Sequence, residues 1–332
     1  MHPQVLANVY RGSILESSHY GSVVVVNRQG EIVYKIGNPK RLTCLRSAAK
    51  PLQVLPLFTS GAAAAYGFSD PELAVMCASH SGQPIHQQQV SAILERVGLS
   101  VDSLQCGTHR PFHRPTARAL QQEGKKPTPL HNTCSGKHAC MLAITRHQHW
   151  DISTYTSISH PVQQEMLSMV AKMTGIRRED VQSGLDTCGV PVFAVPLVNI
   201  ALAFARLVKP EAWEEPICQG MKAISFVMEH YPELLAGEGR FTTALLRACR
   251  GKLVAKDGGE ALFAMGVPVF ELGIAVKIED GSDRALGPVV LEVLKKVGVL
   301  SEPLPVELEK FALPKILTHA GQIAGEVRAV EL

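Results

Sequence analysis

The chain has 332 residues, a formal net charge of +3, 19% charged and 46% hydrophobic residues, so it can bury a full core and is neither a disordered tail nor a linker. At roughly 150 residues per domain this length allows one large or two smaller domains and exceeds the needs of a simple binding module, which puts an enzyme first. Basic residues are scattered, with Lys125-Lys126, Arg177-Arg178 and Lys295-Lys296 as the doublets outside mixed stretches, which argues against a nucleic-acid groove.

The first residues, Met1 to Gly12, hold no apolar run of signal-peptide length, and no later window reaches the about 18 apolar residues of a membrane span. A cytoplasmic protein with no membrane partner is expected. Strands are predicted at Val5 to Leu15, Gly21 to Asn27 with the run Val23 to Val26, and Glu31 to Ile36, with Arg28-Gln29-Gly30 as a hairpin turn. From Ser47 helical spacing takes over: Pro51 to Ser60, Pro71 to Met76, Ile85 to Val97, Thr116 to Glu123, Lys137 to Arg146, Pro161 to Thr174, Val192 to Val208 and Pro216 to His230. Several of these start after Ser, Thr or Asp or carry Pro in the first turn.

After a helix at Arg240 to Cys249, strands return at Lys252 to Lys256, Glu260 to Met265 and Val269 to Ile278. Asp257-Gly258-Gly259 is expected to supply the positive φ of a tight reversal. A helix at Gly287 to Val299 and a strand within Gln322 to Leu332 close the chain. The expected fold is α/β of the α+β kind: a mainly antiparallel sheet of N- and C-terminal strands with an inserted helical lobe. As a single catalytic domain, residues 1–332 divide into a sheet lobe, 1–46 and 240–332, and a helical lobe, 47–239.

Four segments carry chemistry. In Arg46-Ser47-Ala48-Ala49-Lys50-Pro51 the serine and lysine lie three apart at a helix start, so the amine reaches the hydroxyl across one turn. A lysine whose charge is disfavoured can take the proton of a serine nucleophile. The plain alternative is a solvated pair in a capping turn. Pro51 disfavours helix at Lys50 unless both sit in the first turn. Cys77-Ala78-Ser79-His80-Ser81-Gly82 offers two hydroxyls and an imidazole to relay protons or hold a carbonyl, or else ordinary cap residues. Lys256, before Gly258-Gly259-Glu260, sets an ammonium beside backbone that a substrate can approach, like the Lys-Thr-Gly element of penicillin-recognising enzymes; the alternative is a solvent-facing lysine at a hairpin.

The fourth segment pairs Asn132-Thr133-Cys134-Ser135-Gly136-Lys137-His138 with the distant Asp186-Thr187-Cys188-Gly189-Val190-Pro191. Each cysteine is predicted just ahead of a helix, where thiolates are stabilised, and the two with His138 or another donor suit a zinc-like ion; buried structural thiols are the alternative. The eight cysteines of a chain without a secretory signal point to thiols or metal ligands rather than disulfides.

Together with Lys256-Asp257-Gly258-Gly259-Glu260, these motifs occur in an order that resembles the rhizobial-type asparaginase II family over nearly the whole chain. The resemblance implies a fold like that of serine β-lactamases and bacterial glutaminases, and hydrolysis of L-asparagine to aspartate and ammonia. It implies Ser47 as nucleophile with Lys50 as base, Ser79 with Lys256 as a second pair, and Arg46, Asp186, His138 and Ser81 on the substrate side. It further implies zinc held by Cys134, Lys137 and Cys188, no organic cofactor, and a homodimer. At Thr242 relatives often carry cysteine, so no thiol chemistry is expected there. A glutaminase or another serine acyl hydrolase of the same fold, and a non-catalytic zinc-stabilised protein, are the alternative functions.

Overall fold

The structure is a computed structural model and describes residues 2–332. Its strands are β1 (Gln4–Arg11), β2 (Ile14–Asn27), β3 (Ile32–Ile36), β4 (Leu42–Cys44), β5 (Gln182–Leu185), β6 (Pro191–Pro196), β7 (Val254–Gly258), β8 (Leu262–Val267), β9 (Leu272–Ile278), β10 (Lys315–Leu317) and β11 (Ile323–Ala329). Its helices are α1 (Lys50–Thr59), α2 (Ala62–Tyr66), α3 (Asp70–Met76), α4 (Pro84–Arg96), α5 (Arg114–Gln122), α6 (Ser135–His147), α7 (Pro161–Thr174), α8 (Leu197–Leu207), α9 (Ile217–His230), α10 (Pro232–Leu235), α11 (Phe241–Ala248), α12 (Leu286–Lys296) and α13 (Val306–Ala312). Two compact units are present: one comprises the chain up to Ala48, Val195–Lys209 and Ala244–Leu332, the other Ala49–Ala194 and Pro210–Thr243.

The first unit is built on a sheet ordered β10-β11-β1-β2-β9-β8-β7, with β3 also paired to β2. The ends of the chain meet in it: β1 runs antiparallel to β11, Ala7 opposite Ala329 and Arg11 opposite Gly325. The expected mainly antiparallel sheet of N- and C-terminal strands is therefore present. Val5 to Leu15, expected as one strand, reverses at Gly12, whose φ of +58° needs a glycine-like turn, and becomes two. The Val23–Val26 run pairs with both β3 and β9 and is fully buried, as a β-branched run in a central strand should be.

Helices α8 and α12 pack on this sheet, and every residue of β8 is buried, so both faces are covered. The segment Val192 to Val208, expected as one helix, is a strand and then a helix. Val192, Phe193 and Val195 suit a strand, and Pro196 separates it from α8. Gly266 and Gly273, opposite each other in β8 and β9, seat α8: a Cβ on Gly266 would come within 2.5 Å of the Phe204 carbonyl oxygen. The β7–β8 turn also differs from expectation. Its positive φ values belong to Glu260 (58°) and Ala261 (52°), while Gly258 and Gly259 serve close approach. A Cβ on Gly258 would lie 2.9 Å from the Leu45 carbonyl oxygen, and one on Gly259 would lie 3.2 Å from Arg46 Cζ.

The second unit is mainly helical. Residues Ser135 to Thr145 of α6 and Lys50 to Leu57 of α1 are buried without interruption, so neither helix has a polar face, and α6 packs on α1, α3 and α4. Gly136 allows the tight α6–α3 approach, since a Cβ there would overlap the Val75 carbonyl. The short hairpin β5–β6, with Gln182 opposite Ala194 and Leu185 opposite Pro191, belongs to this part of the chain and was not expected from the sequence.

Candidate active site

In the helical unit Lys50 is the first residue of α1, with Pro51 behind it in the first turn, where proline is tolerated. The preceding single turn of 3-10 helix, Arg46–Ala49, carries Ser47, so nucleophile and base candidates follow one another along a continuous helical path. Lys50 is fully buried, and its Nζ donates to the carbonyls of Ala78 (2.5 Å) and Thr133 (3.2 Å) and to Ser79 Oγ (3.2 Å). Both carbonyls lie in loops at helix ends, where backbone acceptors are free of the helix ladder. Two of the expected site residues, Lys50 and Ser79, are thus joined directly.

The loop carrying Ser79 is pinned by the end of α10 and the segment that follows it. Ser79 N–H donates to Leu235 O (2.9 Å), Ser81 Oγ to Ala236 O (2.8 Å), and Glu238 N–H to Gln83 Oε1 (2.9 Å). Gly237, at φ +121°, lies so close to Ser81 Oγ that a Cβ there would approach it to 2.6 Å. His80 is held by Ser135 Oγ at 2.8 Å and by the Gly82 N–H, which donates to its Nδ1. Burial first, then neighbouring His86 and Lys50, push its imidazole well below the usual range, so it is neutral. Thr242 is buried in the same unit.

The sulfur cluster is assembled from two loops. Cys134 is the N-cap residue of α6, as expected of a cysteine ahead of a helix. Cys188 precedes a strand instead: it sits in the β5–β6 turn, where Asp186 N–H donates to Val190 O (2.8 Å) and Gly189 takes φ +84°. The Cys188 thiol donates to the Cys134 sulfur, and this bond, with the neighbouring Lys50 and Lys137, holds Cys134 well below the usual thiol range despite burial. Cys188 is pushed up by the same bond and by burial. Burial disfavours charge on Lys137, yet the sulfurs of Cys188 and Cys134 and the Asp186 carboxylate raise its amine above the usual range; Lys137 Nζ lies 3.9 Å from Asp186 Oδ2.

Among the described residues no group of three His, Cys, Asp or Glu side chains is placed to hold a metal ion. The donor set at this place is two buried sulfurs, a lysine amine and a neighbouring carboxylate, and its chemistry fits a borderline cation such as zinc. His138, next to Lys137 on α6, is fully buried; its Nδ1 is 2.7 Å from Tyr155 Oη, and its Nε2 has no hydrogen-bond partner. Tyr155 Oη also accepts the Gln105 N–H (2.8 Å), so its own proton goes to His138 Nδ1 and leaves the imidazole N–H on Nε2.

In the sheet unit Arg46 takes φ +48°, left-handed backbone that a side-chain-bearing residue seldom adopts. Its guanidinium lies against Gly259. Lys256, on the edge strand β7, is fully buried rather than solvent-facing, and its Nζ donates to Asp257 Oδ1 (2.7 Å) and Asp257 O (3.0 Å). Tyr155 is a residue the sequence reading does not single out, and Asn132 stands in its motif there without a role. Asn132 donates through Nδ2 to Cys106 O (2.8 Å) and accepts the Cys134 N–H at Oδ1 (2.8 Å), which shapes the loop entering α6. The Asn two residues before a helix-capping Cys was a usable signal; nothing in the spacing marked Tyr155.

A family model described as L-asparaginase II matches residues 7–329 of the chain. No curated protein matches the sequence. Similar solved structures include a β-lactamase from Mycobacterium bovis, with 15% identity, 83% of this chain and 94% of that chain covered, and a TM-score of 0.42. A Bacillus glutaminase follows with 11% identity, 84% and 91% coverage and a TM-score of 0.38. The D-alanine carboxypeptidase AmpC from Burkholderia cenocepacia has 12% identity, 81% and 93% coverage and a TM-score of 0.37.

Proposed function

We propose that this chain, which belongs to the L-asparaginase II family, hydrolyses the side-chain amide of L-asparagine to L-aspartate and ammonia through an acyl-enzyme on Ser47. The observation that carries this reading is the buried Lys50 amine, held by two backbone carbonyls and Ser79 Oγ at the start of the helix that continues from the Ser47 turn. Ser47 Oγ attacks the amide carbon while Lys50, acting as the neutral amine, takes the hydroxyl proton; the proton passes to the departing nitrogen, the C–N bond breaks, and ammonia leaves. Water then adds to the ester, its proton returning through Lys50 to Ser47 Oγ as the acyl bond breaks. The Ser79 hydroxyl, bonded to Lys50, serves as proton relay, with Lys256 as its second partner. Arg46 suits the substrate α-carboxylate and Asp186 its α-ammonium, with Ser81 and His138 as neutral hydrogen-bonding groups on the same side.

Zinc belongs to this reading as a resident ion, with Cys134, Cys188 and Lys137 as the residues that would hold it. Bound there it would supply a fixed positive charge that orients substrate. Lys137 must give up its proton to become a ligand, so loading releases protons and weakens as pH falls. Among the described residues no helix is long and apolar enough to cross a membrane; a cytoplasmic homodimer acting on a free amino acid completes the proposal.

Ammonia release from a panel of amino-acid amides tests the reading: asparagine should be turned over and Ser47→Ala, folded by circular dichroism, should lose turnover by at least about 10³-fold. Wild-type turnover in Ser47→Ala would sink the nucleophile assignment, and preference for glutamine, or acylation by a β-lactam, would redirect the substrate. Metal analysis of unchelated protein should find about one zinc per chain, lost in Cys134→Ser and Cys188→Ser. Absence of stoichiometric metal would overturn the zinc part alone.

A further inference from the structure

Resting on the reading of Lys50 as the base, we infer that Asn132 is a positioning residue for it, holding the peptide between Thr133 and Cys134 whose carbonyl faces the amine. The two polar ends of a trans peptide point in opposite directions within one rigid plane, so a grip on one end aims the other. Here the carbonyl accepts Lys50 Nζ (3.2 Å), and the N–H, that of Cys134, donates to Asn132 Oδ1 (2.8 Å). The Asn132 side chain is gripped in turn: its Nδ2 donates to Cys106 O (2.8 Å) and Gly107 O (3.3 Å), which leaves Oδ1 facing the amide. Asn132, Cys134 and Lys50 are all buried, so bulk water is not at hand to replace a lost partner.

The other peptides around the amine have partners of their own. The preceding one, between Asn132 and Thr133, sends its N–H to His109 Nε2 (2.9 Å), and its carbonyl accepts the Ser135 N–H (2.9 Å). The second carbonyl on Lys50, that of Ala78 (2.5 Å), shares its peptide with the Ser79 N–H, which donates to Leu235 O (2.9 Å). Backbone therefore aims Ala78 O, whereas a side chain aims Thr133 O. The His80 N–H also reaches Thr133 O, at 3.3 Å, a longer bond than the one Asn132 makes. Without the Asn132 oxygen the buried Cys134 N–H loses its acceptor, the peptide tilts toward another, and its carbonyl turns from Lys50, leaving the amine on Ala78 O and Ser79 Oγ.

The test measures asparagine turnover by Asn132→Ala, Asn132→Ser, Lys50→Ala and the double variant Lys50→Ala/Asn132→Ala. A serine hydroxyl can accept the N–H two residues on; alanine cannot. Asn132→Ala is expected to lower kcat at least tenfold with KM within threefold of wild type, and Asn132→Ser to return kcat to within threefold. Because Asn132 acts through the amine, its loss should cost nothing once the amine is gone, so the double variant should match Lys50→Ala within threefold. Wild-type kcat in Asn132→Ala, equal defects in the alanine and serine variants, or a larger further loss in the double variant overturns the inference. So does a fall in kcat matched by loss of bound metal, which would place the effect at Cys134. In case Asn132→Ala does not fold, the wild-type protein gives a second readout, the ¹⁵N–¹³C coupling across the hydrogen bond from the Cys134 amide to the Asn132 carboxamide carbon. It is expected in spectra that show the backbone couplings of α6, and its absence there overturns the inference. Wild-type protein inert toward every amide would overturn the functional reading instead, and the coupling would then decide the Asn132–Cys134 bond by itself.

Discussion

Arg46 holds a left-handed backbone at φ +48° immediately before the proposed nucleophile, a conformation that costs an arginine of the order of 1–3 kcal/mol. The surrounding chain imposes it. Gly258 and Gly259 press on Leu45 and on the Arg46 side chain, with no room for a Cβ at Gly258. Strain adjoining a reactive residue is the usual company of preorganised geometry. Glycine at this position would relieve the strain and remove the guanidinium together. Arg46→Gly is accordingly expected to stay within about 1 kcal/mol of wild-type stability by denaturant melts, the relief offsetting lost contacts and added chain freedom. Its KM for asparagine should rise at least tenfold, because the fork for the α-carboxylate is gone. A variant with wild-type KM would remove Arg46 from substrate recognition.

At the scale of elements, α6 delivers Cys134, Lys137 and His138 from one helical end, and its placement depends on Gly136 fitting under the Val75 carbonyl of α3. A methyl there has nowhere to go, because the atom it meets is backbone. Gly136→Ala should cost about 1–3 kcal/mol, the usual range for overpacking, and at about 2–4 °C per kcal/mol for a unit of this size should lower Tm by several degrees. Zinc retention should fall with it, since the displaced turn carries two of the three proposed donors; a variant melting with wild type would show that α6 shifts freely. Some elements were legible from sequence to the residue. Pro161–Thr174 was read with its observed bounds, because His160 caps it, proline opens it and Gly175 ends it at φ +70°. Others were hidden by tertiary context. Val192 to Val208 carries a mainly apolar pattern that helical spacing fits, and what divides it into strand and helix is Pro196 together with the glycine pair on β8 and β9 that receives α8. The candidate site divides the same way: hydroxyls, thiols and lysines stand out in short motifs, whereas Tyr155 reaches His138 only through the folded path of the chain.

Among the 13 histidines of the chain, the buried ones of the helical unit give its stability a dependence on pH. His80, His86 and His131 are buried in the helical unit, and burial lowers the pKa of each, that of His86 to about 4. Their hydrogen bonds use the neutral ring: Gln83 N–H donates to His86 Nδ1 (3.1 Å) and Thr128 N–H to His131 Nδ1 (3.0 Å), leaving no acceptor once those nitrogens are protonated. In the unfolded chain the same groups take up protons near pH 6.5. Between that pH and the lowered folded values the unfolded state holds more protons, so stability is fully present above about pH 6.5 and is lost as pH falls, for His86 down to about 4. Each such proton contributes a slope of at most about 1.4 kcal/mol per pH unit, and the three together at most about 4. Urea melts from pH 7.5 to 5 should therefore show stability falling steeply below pH 6.5, and His86→Gln should reduce that slope by up to about 1.4 kcal/mol per pH unit. Stability flat across this range would mean that the three imidazoles are protonated in the folded state and that the hydrogen bonds to their Nδ1 atoms are not formed in solution.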